Sequence, residues 1–254
     1  MLSIDLDLPS DGPEARPPVP VPHDTALFLD LDGTLAPIEA TPGAVMADPG
    51  RTRLLRRLVE RYGGRVAILS GRSIEEVDRI LERAVTCVAG LHGLEHRTPS
   101  GRGAAVTPHP ALDQVEETLR WFVKRQQGLL VERKGGSVAL HYRGRPPAVE
   151  ACLDIGLRLA AIHGLQLQEG RMVVELRTPG PDKGDSLRRF MAMATFAGAI
   201  PVMIGDDMTD EHAFDAAGGL GGWSVLVGEP RPTAALYRLH DPAAVMAWLQ
   251  EAAS

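Results

Sequence analysis

Short apolar runs alternate with amphipathic stretches along this chain, and the alternation predicts most of its elements. Leu27-Phe28-Leu29 is apolar at both parities of an extended backbone, the pattern of a strand covered on both faces. Residues 51–62 carry Leu54, Leu55, Leu58 and Tyr62 at helical spacing, and Gly63-Gly64 ends that helix. Residues 65–70 repeat the buried-strand pattern. A second helix starts at Ser73, which with Glu76 makes a capping box. Residues 85–89 form a third strand. This order of strand, helix, strand, helix, strand is that of a doubly wound α/β unit.

The period changes after a Gly-, Pro- and Ser-rich stretch at 98–110. Residues 111–127 read as a helix, and 129–134 and 137–143 as two strands meeting at Gly135-Gly136. Residues 147–163 read as an amphipathic helix, then 165–168 and 171–177 as two more strands. This part lacks the strict alternation of the first and predicts an inserted α+β module. Thr178-Pro179-Gly180-Pro181 closes it. The first pattern then resumes with a helix from Lys183 to about 196, a strand at 200–205, a short helix at 210–217 and a strand at 223–227. Asp241-Pro242 opens a terminal helix. The expected architecture is α/β, a Rossmann-like doubly wound parallel sheet (24–105 and 181–254) with an inserted α+β cap (106–180). Hinges are expected near 100–108 and 178–182. Residues 1–23 are rich in Pro, Gly and Asp and have little apolar content, so a disordered or extended leader is expected there.

Composition excludes more than it adds. Of 254 residues, 44% are hydrophobic and 24% charged, which is ordinary for a globular chain able to build a sizeable core. A net charge of −6 without a Lys/Arg run argues against nucleic acid, and no apolar run has membrane-spanning length. The N-terminus bears Asp5 and Asp7 rather than a basic-then-apolar signal. Cys87 and Cys152 offer neither metal spacing nor a disulfide framework, so a reduced, cytoplasmic setting is expected. A monomer acting on a small molecule is expected.

The chemistry collects at strand ends. Asp30 and Asp32 close the first strand and, two apart, face the same side of an extended backbone. Ser70 ends the second strand, Lys183 opens the second half, and Asp206 and Asp207 end a later strand with Asp210 close behind. In one parallel sheet these ends share an edge, where ligands bind. Carboxylates gathered there repel one another unless a cation holds them ionised. An all-oxygen donor set with few protein ligands suits Mg²⁺. Ser70 and Lys183 then offer what a phosphate oxygen needs, and a carboxylate facing that phosphoryl group can attack it.

Asp30-x-Asp32-Gly33-Thr34, Ser70, Lys183 and Gly205-Asp206-Asp207-x-x-Asp210 resemble, in order and spacing, the four motifs of the haloacid dehalogenase (HAD) superfamily. Each motif is weak alone, and together they are strong. The resemblance implies Asp30 as nucleophile and Asp32 as general acid, then general base. It implies Ser70 and Lys183 on the phosphoryl oxygens, and Mg²⁺ held by Asp30, Asp206 and the backbone carbonyl of Asp32. Asp207 and Asp210 would sit behind these, orienting Lys183 or water on the metal. Thr34 either donates to phosphate or supports the turn.

Further stretches are similar to the trehalose-6-phosphate phosphatases. They are Ser70-Gly71-Arg72-Ser73, Gly90-Leu-His92-Gly93-Leu-Glu95, Glu132-Arg-Lys134-Gly-x-Ser137, His141-Tyr-Arg143, Glu175-Leu-Arg177 and Gly205-Asp-Asp-x-Thr209-Asp210-Glu211, within a similarity that spans about residues 26–250. This implies Mg²⁺-dependent hydrolysis of trehalose 6-phosphate through an aspartyl-phosphate, the last step of trehalose biosynthesis. It also implies that Glu132, Lys134 and Glu175 grip hydroxyls of the sugar distal to the phosphate. Read from the residues alone, Glu132 and Lys134 share a strand face, and Glu175 lies opposite Val174 and Leu176. That suits sugar hydroxyls, and it also suits an ordinary solvated sheet face. Arg72 either touches substrate or supports the following helix, and His92 between glycines either approaches ligand or only makes a turn. His141, His212 and His240 lack metal-ligand spacing. A phosphatase for sucrose 6-phosphate or mannosylglycerate phosphate, and a non-catalytic sugar-phosphate sensor, are the alternatives.

Overall fold

A computed structural model of the chain describes residues 12–39, 41–103, 107–170 and 172–254. Residues 1–11 of the expected leader, 104–106 of the first expected hinge and Arg171 of an expected strand lie outside the described residues. The first part of the chain holds β1 (Thr25–Leu29), α1 (Pro49–Arg61), β2 (Val66–Leu69), α2 (Ile74–Leu81), β3 (Cys87–Gly90), β4 (Glu95–Thr98) and β5 (Gly101–Arg102). The middle holds α3 (Leu112–Val123), β6 (Leu130–Lys134), β7 (Ser137–His141), α4 (Val149–His163), β8 (Gln166–Gly170) and β9 (Val173–Arg177). The last part holds α5 (Lys183–Met191), β10 (Ile200–Gly205), α6 (Glu211–Gly219), β11 (Trp223–Val227), β12 (Tyr237–Leu239) and α7 (Pro242–Ala252).

The first and last parts build one sheet in the order β12-β11-β10-β1-β2-β3-β4-β5. Its strands are parallel from β12 through β3, and β4 and β5 add an antiparallel edge. Both faces are covered, as the apolar runs demand. Leu27 and Leu29 of β1 pack with Leu55 and Leu58 of α1, Ile80 of α2 and Trp248 of α7. Ala26 and Phe28 point the other way, to Leu187 and Phe190 of α5 and Phe214 of α6. β1 lies between β10 and β2, where the connections diverge, so the carboxyl ends of β1 and β10 flank a topological switch point.

The middle part forms a separate antiparallel sheet, β6-β7-β9-β8. Val131, Val138, Leu140, Val174 and Leu176 turn one face toward Leu112, Val115 and Leu119 of α3 and Cys152 and Leu159 of α4. The pairing places Glu132, Ala139, Glu175 and Gln168 in one row across the opposite face. No helix among the described residues is long and apolar enough to cross a membrane.

Three expectations change. The strands β4, β5 and β12 went unforeseen, because their sequences are polar or very short. α5 stops at Met191 rather than near 196, and tight turns carry Phe196 inward to stack with Phe28 and Phe190. Residues 12–23 are not a loose leader. Pro17 and Pro20 are buried, and carbonyls of the segment accept from Tyr62 Oη, Trp248 Nε1, Arg65 and the Arg238 N–H. Apolar content did not foretell this, because main-chain carbonyls make the attachment.

Candidate active site

The carboxyl edge of the large sheet gathers the strand-end residues into one buried cluster. Asp30 follows β1, and its N–H donates to the Ile204 carbonyl at 2.9 Å, which ties it to the end of β10. Lys183 is the first residue of α5, held there by an Asp182–Asp185 capping box. Its Nζ lies 2.8 Å from Asp30 Oδ1 and 2.6 Å from Asp210 Oδ1. Burial opposes the Lys183 charge, but the two carboxylates outweigh it and raise its pKa. The other oxygen of Asp210 accepts the N–H groups of Asp206 and Asp207, both at 3.0 Å. Two glycines permit this crowding. Gly33 has φ +86° and a Cβ there would fall 2.1 Å from Asp206 Oδ2, while a Cβ at Gly205 would fall 2.3 Å from Asp210 Cγ.

Asp32 stands at the mouth of the cluster, and Arg72 holds it with two parallel bonds, Nε to Oδ2 at 2.6 Å and Nη2 to Oδ1 at 2.7 Å. The expected role of Arg72 toward substrate is thus joined by one toward Asp32, which nothing in the sequence announced. Ser70 does not line the cavity. Its hydroxyl is buried and accepts the Arg72 N–H at 3.1 Å, so it shapes the turn that presents Gly71 and Arg72. Thr34 and Asp210 are likewise buried behind the wall.

The polar face of the smaller sheet closes the other side. One cavity is lined by Asp30, Asp32, Arg72, His92, Lys183, Asp206 and Asp207 from the large sheet's edge, and by Glu132, Lys134, His141, Gln168 and Glu175 from the small sheet. Lys134 Nζ donates to Glu175 Oε2 at 2.8 Å, the Ser137 hydroxyl bonds the other Glu175 oxygen, and His141 Nε2 meets Glu132 Oε2 at 2.8 Å. Burial opposes the Glu175 charge, but Lys134 and His92 override it and hold this carboxyl well below its usual range. His92, with left-handed φ +56°, lies 3.1 Å from Gln168 Nε2 through Nδ1 and 3.6 Å from Glu175 through Nε2, so it spans the two sheets. Burial lowers its pKa, and Lys134 and Lys183 add to that. The motifs passed over Gln168. On a polar strand face a glutamine looks like solvent exposure, and only the register row it shares with Glu175 reveals it.

The cluster fits a hard divalent cation. Oxygens of Asp30, Asp206 and Asp210 lie within 4.8 Å of one another. Asp206 Oδ1 is buried with no hydrogen-bond partner among the described residues. Burial pushes Asp206 up to about 9 and Asp30 up to about 7, with the neighbouring carboxylates adding to it. Asp210 is committed to Lys183 and two N–H groups, which leaves Asp30 and Asp206 as the side chains that would hold the ion.

A sequence model of the trehalose-phosphatase family matches residues 28–243. The chain belongs to this family. It is 37% identical over 210 residues to a probable trehalose-phosphate phosphatase of Sinorhizobium fredii, covering 82% of this chain and 79% of that one. It is 36% identical over 227 residues to the trehalose-6-phosphate phosphatase of Escherichia coli, covering 89% and 85%. The C-terminal domain of trehalose-6-phosphate phosphatase from Candida albicans superposes with a TM-score of 0.80 over 91% of this chain and 92% of that one; at 20% identity that likeness concerns the fold. Membership makes the chain a phosphoric monoester hydrolase of the HAD superfamily. The segment matched by the family model runs through both sheets, so all the residues named in the cavity fall inside it.

Proposed function

We propose that the chain is a Mg²⁺-dependent phosphatase that hydrolyses trehalose 6-phosphate to trehalose and phosphate through an aspartyl-phosphate on Asp30. The observation that carries this reading is the joining of two unlike surfaces in one cavity. One end is a buried carboxylate cluster with Lys183, and the other is a row of paired donors and acceptors. A phosphate suits the first, and sugar hydroxyls suit the second. The α+β insert is read as a cap that selects the sugar and excludes water, moving about a hinge near 178–182. Two buried, unpaired thiols suit a reducing, cytoplasmic setting.

Lys183 holds Asp30 Oδ1, so Oδ2 is assigned as the attacking oxygen. It forms the bond to phosphorus as the bond to the sugar oxygen breaks. Asp32 supplies the proton to the departing alkoxide, which is otherwise a poor leaving group, and later takes one from the hydrolytic water. Both Asp32 oxygens face Arg72, so substrate must draw the guanidinium away or turn the carboxyl before a proton can sit there. Mg²⁺ bound by Asp30, Asp206 and the Asp32 carbonyl would supply positive charge against the phosphoryl oxygens. Glu132, Lys134, His92 and Glu175 orient the distal sugar.

The test is phosphate release from trehalose 6-phosphate, sucrose 6-phosphate, mannosylglycerate phosphate and an aryl phosphate, with Mg²⁺ and with chelator. Trehalose 6-phosphate is expected to lead in kcat/KM by about 100-fold, roughly 2.7 kcal/mol of discrimination, and only with metal. A flat panel, or activity undiminished by chelator, removes the proposal.

A further inference from the structure

The loop after β10 carries Asp206, and it is braced from behind by Arg231, which lies outside the site motifs. Asp206 Oδ1 has no hydrogen-bond partner among the described residues. Its direction is therefore set largely by the backbone that carries it. On the inner side Asp210 fixes that backbone through the N–H groups of Asp206 and Asp207. On the outer side stands Arg231, from the segment between β11 and β12. Its Nη2 donates to the Asp207 carbonyl at 3.0 Å, and the Asp210 N–H donates to the same oxygen at 3.0 Å, which fills both lone pairs. Arg231 Nη1 pairs with the buried Glu211 carboxylate. Glu211 also accepts the Thr233 hydroxyl at 2.9 Å and the Ala234 N–H at 2.9 Å. The guanidinium fork is thus anchored on one side and grips the Asp207 peptide with the other.

We propose that Arg231, anchored by Glu211, is a positioning residue for the metal-binding loop: it fixes the Asp207 peptide and through it the direction of the Asp206 carboxylate. This rests on the reading of Asp206 as a metal ligand. A half-buried ion pair that only fastened the β11–β12 segment would affect stability and leave metal affinity alone. A group that orients a ligand typically changes metal affinity about 10- to 100-fold when removed.

The two roles separate in R231K and R231Q. A lysine can keep a charge pair with Glu211, but its single ammonium cannot reproduce the fork that reaches the Asp207 carbonyl. The experiment is Mg²⁺ titration by calorimetry of the full-length protein and both variants, with Tm measured in chelator. R231Q is expected to weaken Mg²⁺ binding by about 10- to 100-fold. R231K is expected to weaken it as well while its metal-free Tm stays near the parent's. Variants that bind Mg²⁺ as tightly as the parent, whatever their Tm, overturn the positioning role. A parent protein that does not bind Mg²⁺ overturns the metal reading itself, and this inference with it. Should R231Q fail to fold, R231K decides.

Discussion

The carboxyl edge of the large sheet and the facing side of the small sheet carry similar residues in opposite electrical condition. At the edge, Lys183 pairs with both Asp30 and Asp210, Asp206 Oδ1 has no hydrogen-bond partner among the described residues, and burial pushes Asp30 up to about 7 and Asp206 up to about 9. On the small sheet each acid has its own partner, Glu175 with Lys134 and Glu132 with His141, and Glu175 is held well below its usual range. The first surface is short of positive charge and calls for an ion from outside. The second is already satisfied and can only exchange its partners for others of like geometry. Polar groups set as paired donors and acceptors favour ligands that replace each bond, which is the recognition problem a sugar poses.

The largest expected effect lies at the edge. Asp30→Asn removes the proposed nucleophile and should lower turnover by about 10⁴-fold or more while far-UV circular dichroism stays that of the parent. Turnover within about tenfold of the parent would show that the edge does not work through Asp30. A smaller and more selective effect is expected on the other surface. Glu175→Gln loses the charge opposite Lys134 but keeps an acceptor. It should lower kcat/KM for trehalose 6-phosphate about 100-fold and for an aryl phosphate by less than about 5-fold. Equal losses on both substrates would erase the proposed division of labour.

The two surfaces also differed in how far the sequence exposed them. Asp30, Lys183 and Asp206 each end or open a core element, so their position at element ends and their spacing point to a shared edge. The small sheet's polar face looked like any half-solvated face until register put Glu132, Ala139, Glu175 and Gln168 in a row. Side-chain reach was invisible too. Arg72 clamps Asp32 from 40 residues away, and Arg231 grips Asp207 from 24 away. Arg177, buried in the small sheet, donates to the Gly180 and Pro181 carbonyls and so fastens the return to α5. Polar edge strands such as β4 give no alternation to read, and the attachment of residues 12–23 runs through carbonyls that all sequences share.

One buried group shows burial acting where no acid is paired with it among the described residues. The charged neighbour of His96 of β4 is Arg189. His96 Nε2 lies 3.2 Å from Ser186 Oγ, which itself donates to the Asp182 carbonyl, so Nε2–H is the donor of this pair. Burial, with Arg189 nearby, lowers its pKa from 6.5 to about 4. In the unfolded chain His96 takes its proton near pH 6.5, while the folded protein refuses it until about pH 4. The stability it confers is therefore complete above pH 6.5 and is lost as pH falls from 6.5 toward 4. Each pH unit in that window is worth about 1.4 kcal/mol per group at most. Denaturant unfolding at two pH values one unit apart in this window should show the parent losing on the order of 1 kcal/mol more than His96→Gln does. Equal slopes for parent and variant would mean that His96 takes its proton in the fold as readily as in the unfolded chain, and that burial beside Arg189 does not keep it neutral.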